Sequence, residues 1–323
     1  MLSSTIRIAA ACMLAAVVAL PASAQIARVE LHPFQSTTLT DTEFLNGQKE
    51  GKPVVVAGEL RIPKPGTDRL PAVVLLHGSG GVGGLIDDWA QWFNAMGVAT
   101  FVVDSFTPRG IVSTQNDQSQ LGRLAMIIDA YRALDLLATH PRIDPDRIVL
   151  MGSSRGGQAT LYASLTRFQR LHGTPGRSFA AFVPFYPDCR TRFLADDDVS
   201  GKPIRIFAGL ADDYNPPDAC RLYVERLRKA GRDAMLTEYP DAHHTFDGRA
   251  NQKPVVLTKA QTTRRCRLEE VDGGRIINSQ TKATFTYDDA CMELGPTLAY
   301  NAQAHAQSQK ALTELMATIS KPR

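Results

Sequence analysis

Residues 147–158 read Arg147-Ile148-Val149-Leu150-Met151-Gly152-Ser153-Ser154-Arg155-Gly156-Gly157-Gln158. Arg147 to Met151 is a short, mostly apolar run of the kind that makes a buried strand, and Gln158 to Phe168 carries helical spacing. Between them Gly152-Ser153-Ser154-Arg155-Gly156 matches G-x-S-x-G. A serine on a sharp strand-to-helix turn is held out of the sheet, its hydroxyl exposed at the carboxyl end of the strand. The positive end of the following helix then lies beneath it. Glycines flank it because a side chain there would clash. An ordinary Gly/Ser turn has the same composition, so the placement between strand and helix carries the reading.

Working outward, strand-like and helix-like segments alternate. Pro53 to Ile62 reads as an early strand, and Ala72 to His77 as a continuously apolar one that ends in glycines. Trp89 to Met96 reads as a helix, Val98 to Val103 as a strand and Leu121 to Ala138 as a helix, with Leu124, Ile127, Ile128, Tyr131, Leu134 and Leu137 on one face. Strands follow at Phe179 to Pro184, Ile204 to Phe207 and Met235 to Tyr239. This alternation predicts an α/β fold with a doubly wound, mostly parallel sheet and helices on both faces. Residues 248–295 break the pattern, being polar, with two cysteines and Gly273-Gly274. They read as an inserted excursion, after which a helix from about Pro296 to Ala317 returns to the sheet.

The chain has 323 residues, 44% of them hydrophobic and 21% charged, enough for one large core. The net charge of +3 comes with no Lys/Arg block, which excludes nucleic acid as the expected partner. Arg7 followed by the apolar run Ile8 to Leu20 and the small residues Ala22-Ser23-Ala24 reads as a signal peptide, residues 1–24, too short to span a bilayer comfortably. The expectation is an exported chain, periplasmic or secreted, with residues 25–323 as a single domain and no membrane attachment after cleavage. Cys12 falls in the leader. Cys189, Cys220, Cys266 and Cys291 remain, an even number that in an exported chain favours disulfides. Three connectivities exist, and sequence proximity suggests Cys189–Cys220 and Cys266–Cys291. No C-x-x-C spacing suggests structural zinc.

A serine nucleophile needs a base and a group that orients the base. In sheets with such an elbow the chain order is Ser, acid, His. Asp212-Asp213 follows the strand Ile204 to Phe207, and His243-His244 follows Met235 to Tyr239, so both pairs fall at the sheet edge that carries Ser154. Position alone leaves the choice within each pair open, the partner being a loop residue: a cap for Asp213, a packed or hydrogen-bonded group for His243. His32, His140, His172 and His305 lack such a strand-end setting. Two N–H donors must hold an oxyanion. The backbone of Arg155 is one, and Ser79, in His77-Gly78-Ser79-Gly80-Gly81, the other, with His77 structural. Arg109 ends a strand on the same edge and is a candidate either for a substrate carboxylate or for a surface salt bridge.

Together these residues resemble the dienelactone hydrolase family of α/β-hydrolases, over about residues 50–247 and the last helix. The resemblance rests on His77 to Gly81, Asp104-Ser105-Phe106, Gly152 to Gly157, Gly209-Leu210-Ala211-Asp212 with Pro216 four beyond, and Ala242 to Phe246. It implies the α/β-hydrolase fold and breaks both ties: the family's acid stands four residues before a proline, giving Asp212, and its histidine precedes a small residue and then Phe, giving His244. Dienelactone-opening members use a cysteine nucleophile restrained by a glutamate, where this chain has Ser154 and Gly78. An ester hydrolase, with lactones as further substrates, is therefore the implied activity, with no metal or organic cofactor. Exported members are similar in having a cysteine after each of two neighbouring strands, as at Cys189 and Cys220, where a bridge would brace the acid loop. The rivals are a peptidase or amidase using the same triad and a catalytically silent ligand-binding protein. Substrate identity and oligomeric state are not legible.

Overall fold

The computed structural model describes residues 26–320, so the leader expected at residues 1–24 lies outside the described residues. Eight strands form the main sheet: β1 (Arg28–Thr38), β2 (Lys52–Ile62), β3 (Leu70–Leu76), β4 (Ala99–Asp104), β5 (Ile143–Ser153), β6 (Ala181–Phe185), β7 (Ile204–Gly209) and β8 (Ala234–Tyr239). Their spatial order is β1-β2-β4-β3-β5-β6-β7-β8. β1 and β2 pair antiparallel, as do β2 and β4, while every pairing from β4 onward is parallel. This is the α/β-hydrolase sheet, mostly parallel as expected.

The helices are α1 (Asp41–Leu45), α2 (Gly84–Ala95), α3 (Ala125–Thr139), α4 (Arg155–Tyr162), α5 (Thr166–His172), α6 (Asp218–Lys229) and α7 (Ala302–Ile319). α2 and α7 cover one face, where Trp89, Phe93, Leu312 and Met316 pack with Val73, Leu75, Val149 and Met151. The rest lie on the other face, where Ile127, Leu161, Phe168 and Leu227 meet Val74, Leu76, Ile148 and Leu150. Alternate residues of β3 and β5 thus enter different cores, which is why Ala72 to Leu76 and Ile148 to Met151 are apolar at every position. β1 and β2 behave otherwise. Val29 and Leu31 are 52% and 74% exposed, because no helix covers that side of the hairpin.

The structure departs from the sequence reading at several boundaries. β1 has no counterpart in that reading; the structure places it at the sheet edge, where its Pro33 is tolerated. α3 begins at Ala125 rather than Leu121, because Leu121 is extended and the Arg155 guanidinium holds the Leu121 and Gly122 carbonyls. The helix expected over Gln158 to Phe168 is two, α4 and α5. Ser164 Oγ donates to the Leu161 carbonyl at 2.6 Å and Leu165 is extended, forming a bridge with Val199. The last helix starts at Ala302, where the Asn301 side chain accepts from Ala304 N–H, a cap for the first turn.

Residues 249–301 add no strand to the main sheet. They form strands of two to four residues, including Leu268–Val271, which pairs with Arg275–Asn278 and with Thr191–Arg192 beyond β6. Both expected disulfides are present, Cys189–Cys220 and Cys266–Cys291. No helix among the described residues is long and apolar enough to cross a membrane.

Candidate active site

Ser154 leaves β5 with φ 55° and ψ −114°, a conformation rare for a residue with a side chain. Close packing enforces it. A Cβ on Gly156 would stand 2.4 Å from the Leu76 carbonyl oxygen, and one on Gly152 2.3 Å from that of Gly156. The Ser154 N–H donates to the Phe185 carbonyl at 3.0 Å and its carbonyl accepts from Gln158 N–H at 2.8 Å, which ties the elbow to β6 and α4. The result is a half-buried hydroxyl standing over the sheet edge.

Ser154 Oγ donates toward His244 Nε2 at 2.9 Å, and His244 Nδ1 donates to Asp212 Oδ2 at 2.8 Å. A carboxylate only accepts, so the proton sits on Nδ1 and leaves Nε2 free to receive the serine proton. Asp212 Oδ1 accepts from Tyr214 and Asn215 N–H at 2.8 Å each, so the carboxylate is held on both oxygens. The imidazole lies between the rings of Tyr186 and Tyr214, each 4.6 Å away. Tyr186 hydroxyl in turn donates to the buried Asp247 at 2.8 Å, which also accepts from Trp89 Nε1. Burial pushes the Asp247 carboxyl up.

The glycine loop after β3 lies against the elbow: a Cβ on Gly78 would be 3.2 Å from the Ser154 Cβ. His77 is a strut there, accepting from Ser105 N–H on Nε2 at 3.2 Å and donating from Nδ1 to the Gly78 carbonyl at 2.8 Å. Burial lowers its pKa and keeps it neutral. Gly81 N–H donates to the same carbonyl. In a trans peptide the N–H points opposite to the carbonyl, so fixing the Gly78 carbonyl aims the Ser79 N–H the other way. Among the described residues neither the Ser79 nor the Arg155 N–H donates to a backbone acceptor in the turns and loops.

Two expectations are corrected. Arg109 lines neither space beside Ser154 and is no surface bridge: its guanidinium, 5% exposed, makes a bidentate pair with the fully buried Asp129 and also donates to Thr38 and the Ser105 carbonyl. It braces the loop after β4 against α3. Asp213 does not cap a helix, since α6 begins at Asp218. It accepts from Thr297 N–H and hydroxyl, clamping the chain as it returns from the excursion. His243 is half-buried and its Nδ1 has no partner among the described residues.

Ser154 sits between two spaces. A cleft of about 190 Å³ is lined by the glycine loop, Leu85, Ile86, Tyr186, His244 and Leu298. A smaller pocket of about 40 Å³ lies beside it, walled by Gln118, Arg123, Arg155 and Gln158 and by excursion residues such as Thr262, Thr263 and Tyr287. Tyr186, Tyr214, Gln118 and Gln158 escaped the sequence reading. Only Tyr186 carried a signal, by following β6 directly at the functional sheet edge.

A model of the dienelactone hydrolase family matches residues 56–320. The chain belongs to that family. Membership supports a carboxylic-ester hydrolase activity. Among curated proteins it is similar to polyketide transferase af380 of Aspergillus fumigatus, 31% identical over 102 residues. That match spans 31% of this chain and about a third (34%) of the transferase. Among solved structures, a dienelactone hydrolase-like promiscuous phosphotriesterase from metagenomic libraries aligns with a TM-score of 0.55 and 16% identity, over 90% of this chain and 98% of the other. Esterase 2 of Thermogutta terrifontis, phosphoramylated by tabun, aligns with a TM-score of 0.55 and 16% identity, over 94% of this chain and 100% of the other. At such identities the likeness shows the fold.

Proposed function

We propose that this family member hydrolyses small carboxylic esters, lactones included, by two-step acyl transfer from Ser154 to water. The observation that carries the reading is the unbroken relay of Ser154 Oγ, His244 and Asp212 at 2.9 and 2.8 Å. His244 takes the serine proton as Oγ attacks the carbonyl carbon, and Asp212 stabilises the imidazolium so formed. The N–H groups of Ser79 and Arg155 hold the developing oxyanion. His244 then gives its proton to the leaving alcohol, and takes one from the water that releases the acid and restores Ser154. No step calls for a metal or organic cofactor.

The relative trapped with an organophosphate suggests the test. A fluorophosphonate probe should label Ser154 stoichiometrically and abolish ester turnover together with it. Absence of labelling on folded protein would favour the silent binding-protein reading. Rates on matched ester and amide substrates separate an esterase from an amidase, and the ester should be faster. Export belongs to the same proposal, because two disulfides fit an oxidising compartment. The mature protein would then begin at Gln25, which N-terminal sequencing checks.

A further inference from the structure

The small pocket beside Ser154 is walled by residues that carry buried donors without acceptors among the described residues. Arg155 is 6% exposed, and its terminal nitrogens reach only neutral oxygens: Gln118 Oε1 at 2.7 Å, more distantly Thr114 Oγ1 and the Gln118 carbonyl, and the carbonyls of Leu121 and Gly122. No ion pair of the described residues includes it, so its charge is uncompensated by direct contact. Among the described residues its Nε is buried without a partner, and so are Arg123 Nε and Gln158 Nε2. Arg123 and Gln158 are 5% and 4% exposed. Arg123 is already neutralised by Asp188 at 2.7 Å, which leaves the Arg155 guanidinium as the charge to be answered.

Buried donors without acceptors are costly, and more so around a cation. A monoanion with several acceptor lone pairs meets both demands, and a carboxylate does so at small volume. The side of the substrate follows from the relay. His244 must reach the leaving oxygen and lines the larger cleft, not the small pocket. The alcohol therefore leaves through the cleft, and the pocket faces the acyl group.

We propose that Arg155, Gln158 and Arg123 form an anion subsite for a free carboxylate on the acyl part of the substrate, so that monoesters of short dicarboxylic acids are preferred. The excursion closes this subsite through Thr262, Thr263 and Tyr287, which makes it a property of this chain's own insertion. The proposal rests on Ser154 being the nucleophile.

The test compares monomethyl succinate with methyl succinamate, nearly the same shape but neutral, on the full-length mature protein. A charge-assisted contact in a buried site predicts a kcat/KM ratio of about tenfold or more in favour of the charged ester. Free succinate should inhibit competitively, and sulfate should inhibit far less. In Gln158→Leu, of similar size but without the donor, the ratio should fall several-fold, about 3 to 10 times. Equal rates on the two esters, or equal inhibition by sulfate and succinate, would overturn the subsite, and neither observation depends on the variant folding. An unchanged ratio in folded Gln158→Leu would remove Gln158 from it. Should neither ester turn over and Ser154 resist labelling, the hydrolytic reading itself fails, which is a separate result.

Discussion

The sheet edge that carries Ser154, Asp212 and His244 and the excursion of residues 249–301 that leans on it are built by opposite means. Each residue of the relay follows a strand of the main sheet by one to five positions: Ser154 after β5, Asp212 after β7, His244 after β8. Parallel strands end at one edge, so separate loops converge there without any contact between them being encoded locally. The excursion has no such frame. Its strands are two to four residues long, and it is tied down by the Cys266–Cys291 bridge and by bonds such as Thr263 Oγ1 to Asp188 and Thr262 Oγ1 to the Tyr214 carbonyl. The first region sets out the proposed reacting groups and the second closes the pocket around them. Bond-making and selectivity should therefore be separable.

The largest effect tests the sheet edge. Ser154→Ala should lower kcat by about 10⁴-fold or more while circular dichroism and melting stay close to wild type. Full esterase activity in a folded variant would break the proposed mechanism. Asp212→Asn comes next, with a kcat loss of about 10³ to 10⁴-fold. An amide can donate to Nδ1 and so favour the wrong tautomer, but its oxygen still meets the Tyr214 and Asn215 N–H groups. Steady-state kinetics with a saturating ester would read this, and a loss confined to KM would contradict it.

The third prediction strikes the excursion. Removing both Cys266 and Cys291 as alanines opens a loop of 25 residues and should cost about 3 kcal/mol, read by urea unfolding. KM should rise more than kcat falls. A kcat loss as deep as that of Ser154→Ala would show that the two regions do not act separately.

The smallest effect concerns acid. His172 is held neutral by burial, its pKa lowered to about 4 while it stacks on Phe44 and hydrogen-bonds the Phe44 carbonyl at 2.8 Å. His77 is lowered in the same way. A histidine with a lowered folded pKa contributes stability that is full above about pH 6.5. That contribution is lost as the unfolded chain takes up protons the native one refuses, down to about pH 4. The melting temperature should fall across that window. Both groups belong to the framework, and the chain has no histidine between His244 and His305. His172→Gln should flatten the slope, and an unchanged slope would place the acid sensitivity elsewhere.

Legibility followed the same division. The relay could be read because its signals are local: an apolar run, a turn, and one chemically suitable residue at each strand end. The choice between Asp212 and Asp213 was not local in that sense. Position left it open until the family likeness favoured Asp212, and in the structure the two side chains point to different partners, His244 and Thr297. Arg109 misled because a strand-end arginine looks alike whether it faces a cleft or a buried aspartate, and Asp129 lies 20 residues away on α3. The break between α4 and α5 was hidden for a similar reason. The bridge from Leu165 to Val199 crosses more than thirty residues of chain.

By itself the sequence determined the alternation of strands and helices, the elbow at Ser154 and the edge at which its partners had to lie. Periodicity and glycine chemistry act over a few residues and survive without knowledge of the fold. Only the tertiary structure decided what surrounds that serine: His77 fixing the Gly78 carbonyl, Tyr186 and Tyr214 flanking the imidazole, and Arg155 buried among neutral oxygens beside an excursion that periodicity cannot fold. Those arrangements arise where distant segments exclude water together. A side chain's burial and its lack of a partner are properties of that packing, not of the residue.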